Sequence, residues 1–347
     1  MQRCLDLALS GAGGVAPNPM VGAVLVYAGN VIGEGYHRQY GGPHAEVNCI
    51  NSVSPGHTAL ISKSTLYVSL EPCSHFGKTP PCTNLIIEKK IPEVVIGCQD
   101  LYDEVNGKGI EKLKAAGVKV IIGVMEKESI EMNKRFFMFH REKRPYIILK
   151  WAQSSDGQLA AGNGERTLIS NEYSNRLVHK WRTEEATIMV GTNTALQDDP
   201  ALTARLWPGK DPVRIVLDME LKLPLSLQLF NGKAKTIVFN QLKQQESEML
   251  VYHKVDAGTP VLPQILTALY QLKIQSVLVE GGAKLLQSFI DADLWDEVRI
   301  ISNESRLLSG AIGNGVEAPV LKHHQLTETH QIETDIISIY QHINGIE

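Results

Sequence analysis

His44 and Glu46, in Pro43-His44-Ala45-Glu46, together with Cys73 and Cys82, are the residues whose types and spacing point most directly to chemistry. One imidazole and two thiolates hold a zinc ion and leave its fourth position open, which separates a catalytic zinc from a structural one. A water at that position is acidified to about neutral pH and becomes a nucleophile. Glu46 is not needed as a ligand, so it is free to take the water's proton and hand it on. Such a set attacks a ring carbon that bears an exocyclic amine and expels ammonia, which is hydrolytic deamination. His-x-Glu alone carries little, and so do two cysteines with eight residues between them. The ordered set, with Pro72 directly before Cys73, carries much more. A structural zinc would normally recruit a fourth protein ligand. His75 is the nearby candidate, and it is more useful facing a substrate.

The flanking pattern supplies elements to hold these residues. Val21 to Val26 is a continuous apolar run that reads as a buried strand, and Val31 to Gly35 returns as a second after a turn. Ala45 to Ile50 reads as a short helix, with His44 and Glu46 at its N-terminal end, where the backbone dipole favours negative charge. Residues 64–70 read as a strand that delivers Glu71-Pro72-Cys73 at its carboxyl end, the usual place for a site in an open α/β sheet. Helices over 84–90 and 107–116 alternate with strands over 94–98 and 118–122. Glu126 to His140 reads as one long helix, and the charged stretch 141–144 before Pro145 is a natural break. The predicted domains are therefore 1–144 and 145–347. In the second, strands over 146–150, 188–190, 213–217, 236–239 and 276–279 recur with helices over 265–272 and 284–290, and 336–340 reads as a closing strand. This rhythm predicts an α/β fold in both halves. Gly281-Gly282, between a strand and a helix, lets backbone approach a phosphate, but is as often a simple tight connection and is not the dinucleotide fingerprint.

Composition narrows the partners. The chain is 43% hydrophobic and 21% charged, with a formal net charge of −4 and no stretch dominated by Lys and Arg. That argues against nucleic acid as the main partner. A nucleic-acid-editing zinc deaminase with a C-terminal binding module is the alternative it disfavours. No apolar run approaches a membrane span, and Asp6 interrupts any signal-peptide pattern; a cytoplasmic location is expected. The odd count of five cysteines speaks against a disulfide framework, and Cys4, Cys49 and Cys98 read as small buried hydrophobes. A homo-oligomer, dimer or tetramer, is the expectation for a metabolic enzyme of this size.

Cys73-Ser74-His75-Phe76-Gly77-Lys78-Thr79-Pro80-Pro81-Cys82, with Pro17-Asn18-Pro19-Met20-Val21-Gly22 upstream, resembles the deaminase domain of the bifunctional riboflavin-biosynthesis deaminase–reductases. Lys150 with Ser154-Ser155-Asp156-Gly157, Gly191-Thr192-Asn193-Thr194, the run from Asp198 to Arg205, and Val279-Glu280-Gly281-Gly282 resemble the family's reductase domain. The resemblance covers nearly the whole chain. It implies an N-terminal cytidine-deaminase-like domain and a C-terminal dihydrofolate-reductase-like domain. It also implies one zinc ion, NADPH, and the substrate 2,5-diamino-6-(5-phosphoribosylamino)pyrimidin-4(3H)-one, whose ribosyl group is reduced to ribityl after deamination. Asn18, His75 and Lys78 would border the first substrate pocket, Lys78 suiting a phosphate. Arg182, Leu202, Arg205 and Glu280 would meet the second substrate, the two arginines pairing with its phosphate and Glu280 accepting from sugar hydroxyls. Ala152, Leu168, Thr194, Asp198 and the Gly282 turn would line the NADPH site. Asp198 and Asp199 read almost equally as a turn before Pro200. Lys150 reads as either a proton source or a surface charge. The chain departs from the family's usual pattern over 101–103, which lacks a Pro-Asn-Pro, and over 301–310.

Overall fold

Runs such as GAVLVY and EVVIGC, almost wholly apolar and too short for a core helix, form buried strands. The computed structural model describes residues 1–76, 80–101, 106–161, 168–308 and 315–343. Contacts divide the chain into two units, Met1–Lys143 and Arg144–Glu347.

In the first unit, β1 (Gly22–Tyr27), β2 (Asn30–Tyr36), β3 (Thr65–Leu70), β4 (Glu93–Cys98) and β5 (Lys119–Ile122) form one sheet in the order β2-β1-β3-β4-β5. β1 runs antiparallel to β2 and β3, while β3, β4 and β5 are parallel. Helices α1 (Gln2–Leu9), α2 (Ala45–Asn51), α3 (Cys82–Glu88) and α4 (Lys108–Ala115) pack with the sheet. Leu25, Leu66, Val68, Ile86, Ile96 and Leu113 are fully buried in its core, each contributing roughly 1.5–3 kcal/mol of burial. Gly35 lets α2 lie directly on β2: a Cβ there would fall 2.2 Å from the Cys49 backbone nitrogen. That close approach seats the start of α2, which carries His44 and Glu46.

The long helix expected over 126–140 is two helices, α5 (Glu126–Met132) and α6 (Lys134–Glu142). The break is Asn133, which is 3% exposed. Its side chain accepts from the Met20 N–H (2.8 Å) and donates to the Met20 carbonyl (2.9 Å). Asn readily makes side-chain bonds to backbone that compete with continued helix.

The second unit holds β6 (Tyr146–Ser154), β7 (Gln158–Ala160), α7 (Glu172–Glu184), β8 (Thr187–Gly191), α8 (Thr192–Asp198), β9 (Val213–Leu217), β10 (Thr236–Asn240), β11 (Gln245–Glu246) and β12 (Leu250–Lys254). It continues with α9 (Val261–Gln271), β13 (Ser276–Val279), α10 (Ala283–Asp291), β14 (Glu297–Asn303), β15 (Val316–Glu317), β16 (His324–Ile332) and β17 (Asp335–His342). Among the described residues, one ten-stranded sheet runs β11-β12-β10-β9-β8-β13-β6-β14-β17-β16. The strands from β12 to β14 are mutually parallel; β11, β17 and β16 are antiparallel to their neighbours. Ile147, Val279, Phe239, Leu286, Phe289 and Trp295 are buried in the main core.

Thr192, Asn193 and Thr194 open the helix α8, which the sequence pattern does not single out. The strand over 336–340 lies inside the sheet, between β14 and β16. β16 is exposed along nearly its whole length, so it has no apolar period to betray it. Among the described residues, no helix is long and apolar enough to cross a membrane.

Candidate active sites

His44 caps α2 in an extended conformation, and Cys82 is the first residue of α3. The loop after β3 carries Cys73 back to them. His44 Nδ1 lies 3.5 Å from Cys73 Sγ and 3.4 Å from Cys82 Sγ, and the three ligand atoms all lie within 4.8 Å of one another. Donors bound to one tetrahedral zinc at its usual N and S distances are about 3.5 Å apart. The trio therefore fits a zinc ion with one side open. The Cys82 N–H donates to Cys73 Sγ at 3.3 Å, which fixes the loop against α3. Hydrogen bonding from Cys82 outweighs burial and, with His44, holds the Cys73 thiol well below its ordinary range. Cys82 is pushed up by that shared bond and by burial, so one thiol ionises first. Glu46, in the first turn of α2, is 3% exposed. Burial and then the Cys73 charge push its carboxyl up, against a smaller pull from His44.

In the second unit, charged side chains gather around the carboxyl end of the parallel strand β13. Glu280 directly follows β13, Lys150 lies in the neighbouring β6, and the two strands pair Val279 with Leu149. Arg182, in the last turn of α7, grips Glu280 with a two-pronged bond: Nε to Oε1 at 2.8 Å and Nη2 to Oε2 at 2.7 Å. Its Nη1 donates to the Thr203 carbonyl at 3.0 Å. Burial alone would raise the Glu280 carboxyl, but the charges of Arg182 and Lys150 and the Arg182 hydrogen bond bring it to about 2. Burial lowers the Lys150 ammonium, and Glu280 opposes that. Lys150 is half-buried, which removes its reading as a surface charge. Arg182 also lines a cavity of ≈ 760 Å³, together with Leu168, His179, Leu202 and Arg205; Glu280 and Lys150 do not line it. Gly281 has φ +125, a conformation that favours glycine. A Cβ on Gly282 would lie 2.9 Å from Thr194 Oγ1, so the turn and the first turn of α8 touch.

Residues 1–98 match the cytidine and deoxycytidylate deaminase zinc-binding region, and residues 145–336 match the RibD C-terminal domain. The chain is 42% identical to the riboflavin biosynthesis protein RibD of Aquifex aeolicus over 307 residues, covering 86% of this chain and 84% of that protein. It is 36% identical to RibD of Bacillus amyloliquefaciens over 351 residues, covering 97% and 94%. The crystal structure of a diaminohydroxyphosphoribosylaminopyrimidine deaminase/5-amino-6-(5-phosphoribosylamino)uracil reductase from Thermotoga maritima superimposes with a TM-score of 0.89 at 35% identity, over 98% of this chain and 97% of that one.

The chain belongs to the RibD family. It is a bifunctional enzyme of riboflavin biosynthesis, a deaminase and a reductase, and its fold is α/β in both units as expected, a cytidine-deaminase-type zinc-binding domain followed by a RibD C-terminal domain. Its domains imply Zn²⁺ and NADPH as cofactors. It acts on a small-molecule substrate, so the editing-type alternative is not favoured.

Within this RibD-family chain, the structure brings His44, Glu46, Cys73 and Cys82 together. It also gathers Leu168, Arg182, Leu202 and Arg205 around one cavity, and sets Thr194 against the Gly282 turn. Asn18 and His75 are half-buried. Lys78 lies outside the described residues, as do Tyr102 and Asp103 of the altered segment and residues 309–310. Ala152 sits in β6 opposite Ile301 of β14, and Asp198 ends α8. Asp199 serves the turn: its carboxylate accepts from the Gln228 N–H at 2.6 Å. The Arg182 fork, expected on the substrate's phosphate, is taken up by Glu280 and Thr203, whereas Arg205 is exposed at the cavity and makes no side-chain hydrogen bond among the described residues.

Sequence reasoning missed two supporting residues. His37 Nδ1 lies 3.0 Å from the Pro43 carbonyl, which can only accept, so a neutral His37 keeps its proton there. Its Nε2 then accepts from the Asn18 amide at 3.1 Å, which fixes which way the Asn18 amide faces. Burial keeps His37 below its ordinary range. Glu71 is buried, and its carboxylate accepts four backbone N–H groups, from Asp100, Gly107, Gly109 and Ile110, at 2.8–3.2 Å. It ties the Cys73 loop to the start of α4. The signal was its position, one residue before Pro72-Cys73 at a strand end.

Proposed function

We propose that the first unit hydrolytically deaminates 2,5-diamino-6-(5-phosphoribosylamino)pyrimidin-4(3H)-one and that the second reduces the ribosyl group of the resulting uracil to ribityl with NADPH. The observation that carries the reading is the His44–Cys73–Cys82 trio with buried Glu46 beside it. His44, Cys73 and Cys82 would hold the zinc ion, which when bound supplies the acidity that makes water nucleophilic near neutral pH. Glu46 takes one proton of the attacking water and passes it to the ring nitrogen, then carries the second, from the new hydroxyl, to the departing amine, so that water and the N=C–NH₂ unit become HN–C=O and ammonia. A carboxyl raised by burial is suited to both halves of that transfer. Asn18, oriented by His37, and His75 offer hydrogen bonds to the ring edge, and Lys78 offers charge to the phosphate.

In the second unit, Ala152, Leu168, Thr194, Asp198 and Gly282 would hold NADPH, whose nicotinamide supplies the hydride. The protein's task is to hold the acceptor carbon against it. Glu280 stays ionised at neutral pH and accepts from sugar hydroxyls, while Arg182 holds it in place. Arg205 meets the phosphate at the cavity mouth, and Leu202 packs beneath the substrate. The domain boundary is placed at 144/145, the location in the cytoplasm, and the assembly as a dimer or tetramer.

The experiment is mass spectrometry of the products from the diaminopyrimidinone, with and without NADPH. Deaminated compound alone is expected without NADPH, and its ribityl form with it. A substrate left untouched by zinc-loaded enzyme would overturn the substrate assignment, and deamination without subsequent reduction would overturn the second half.

A further inference from the structure

The second unit holds another convergence of ligating side chains, at none of the positions assigned above to cofactor or substrate. Asp293 lies in the turn between α10 and β14, His323 immediately precedes β16, and His342 ends β17. The backbone brings them together. β16 and β17 pair His324 with His342, the Ile343 N–H donates to the His323 carbonyl at 2.9 Å, and the His342 N–H donates to the Asp296 carbonyl at 3.1 Å.

Both imidazoles address one carboxylate oxygen. His342 Nε2 lies 2.7 Å and His323 Nδ1 3.2 Å from Asp293 Oδ1, and the three ligand atoms all lie within 4.8 Å of one another. Nitrogen and oxygen donors on one first-row transition ion, at about 2.0–2.2 Å from it, are about 3.0–3.5 Å apart. The two nitrogen-to-oxygen separations, 2.7 and 3.2 Å, lie within or close to that range. One ligand is anchored: the His342 side chain is 6% exposed and its ring packs edge-on against Trp295, with centroids 4.7 Å apart. The other two face solvent, at 46% for Asp293 and 63% for His323, which leaves an entry path and room for water ligands.

The donor set selects the ion. Two imidazoles and one carboxylate suit zinc, cobalt or nickel, whereas calcium and magnesium require oxygen ligands. We propose that Asp293, His323 and His342 form a second metal site, distinct from the deaminase centre, that takes a divalent transition cation of the zinc class. The ion would clip the β16–β17 hairpin, at the edge of the large sheet, to the α10–β14 turn. Binding to the folded state alone stabilises that edge by mass action.

The test is calorimetric titration of untagged, full-length enzyme, already carrying one zinc per chain, with further zinc. One additional saturable equivalent is expected, bound more weakly than the first, and equal concentrations of calcium or magnesium should give none. His323→Ala removes an exposed side chain, and Asp293→Asn keeps the shape of the other. Each should weaken the second equivalent by about tenfold or more and leave the first zinc and both activities intact. Zinc should raise the melting temperature of the wild type and not of His323→Ala. A holoenzyme that takes no second equivalent would overturn the proposal, and so would uptake that never saturates. Variants that titrate like the wild type would also overturn it, leaving the cluster a hydrogen-bonded clip without metal.

Discussion

The two active regions are built on different plans. In the first unit, the candidate metal ligands and Glu46 come from two short stretches of chain, 44–46 and 73–82. In the second, the charged centre is assembled from α7, the end of β13 and β6, with residues 98 positions apart in its ion pair. The first depends on which atoms are present. The second depends on whether remote backbone delivers ordinary side chains to one place, with a buried ion pair as the fastener. Loss of function should therefore separate from loss of stability in the first region and coincide with it in the second.

The largest expected effect sharpens that contrast. Glu46→Gln should cut deamination by about 10²–10⁴-fold with zinc content by elemental analysis unchanged and reduction of supplied intermediate intact. Cys73→Ser should lose zinc as well as deamination; retention of the metal there would break the ligand assignment. In the second region, Arg182→Met strands the buried Glu280 carboxylate and should cost about 3–5 kcal/mol in denaturant unfolding, together with the reductase rate. A variant that loses rate with no loss of stability would show that Arg182 is not the fastener.

The same pair gives a pH signature. Glu280 lies at about 2, below the ordinary carboxyl value of 4.5. Its lowered value contributes stability that is complete above 4.5 and is lost as pH falls from there toward about 2. The stability gap between wild type and Glu280→Gln, measured by denaturation at pH 6 and again near pH 3, should narrow at the lower pH. A gap that widens would contradict the charge pairing.

Smaller effects probe the supports. Glu71→Ala leaves four backbone N–H groups without their acceptor and should destabilise the first unit by about 3 kcal/mol, with the second unit's unfolding unmoved. Asn133→Ala, which frees the Met20 backbone, should cost about 1–2 kcal/mol and raise KM for deamination more than it lowers kcat, because it loosens the segment that carries Asn18.

These differences also explain what was legible in the sequence. His44, Glu46, Cys73 and Cys82 announce themselves because metal chemistry demands those residue types, and strands such as β4 announce themselves by apolar runs. The helix α7 did not, although Asn171 caps it by accepting from the Tyr173 and Ser174 N–H groups. Its polar face dominates a run in which only Ser174, Val178, His179 and Trp181 are buried. Nothing local in the sequence marks Asn133 as the break in the 126–140 helix, because its partner, Met20, is 113 positions away. Arg182 was visible by family pattern, but its grip on Glu280 was not, since nothing local in either segment specifies the other.

The most direct test of two separate sites on one chain is product analysis of Glu46→Gln and Glu280→Gln, each alone and then mixed, with NADPH present. Glu46→Gln should leave the diaminopyrimidinone untouched yet reduce supplied 5-amino-6-(5-phosphoribosylamino)uracil. Glu280→Gln should stop at the deaminated compound, and the mixture should carry substrate through to the ribityl product. Deamination by Glu46→Gln at the wild-type rate, or full reduction by Glu280→Gln, would contradict the account.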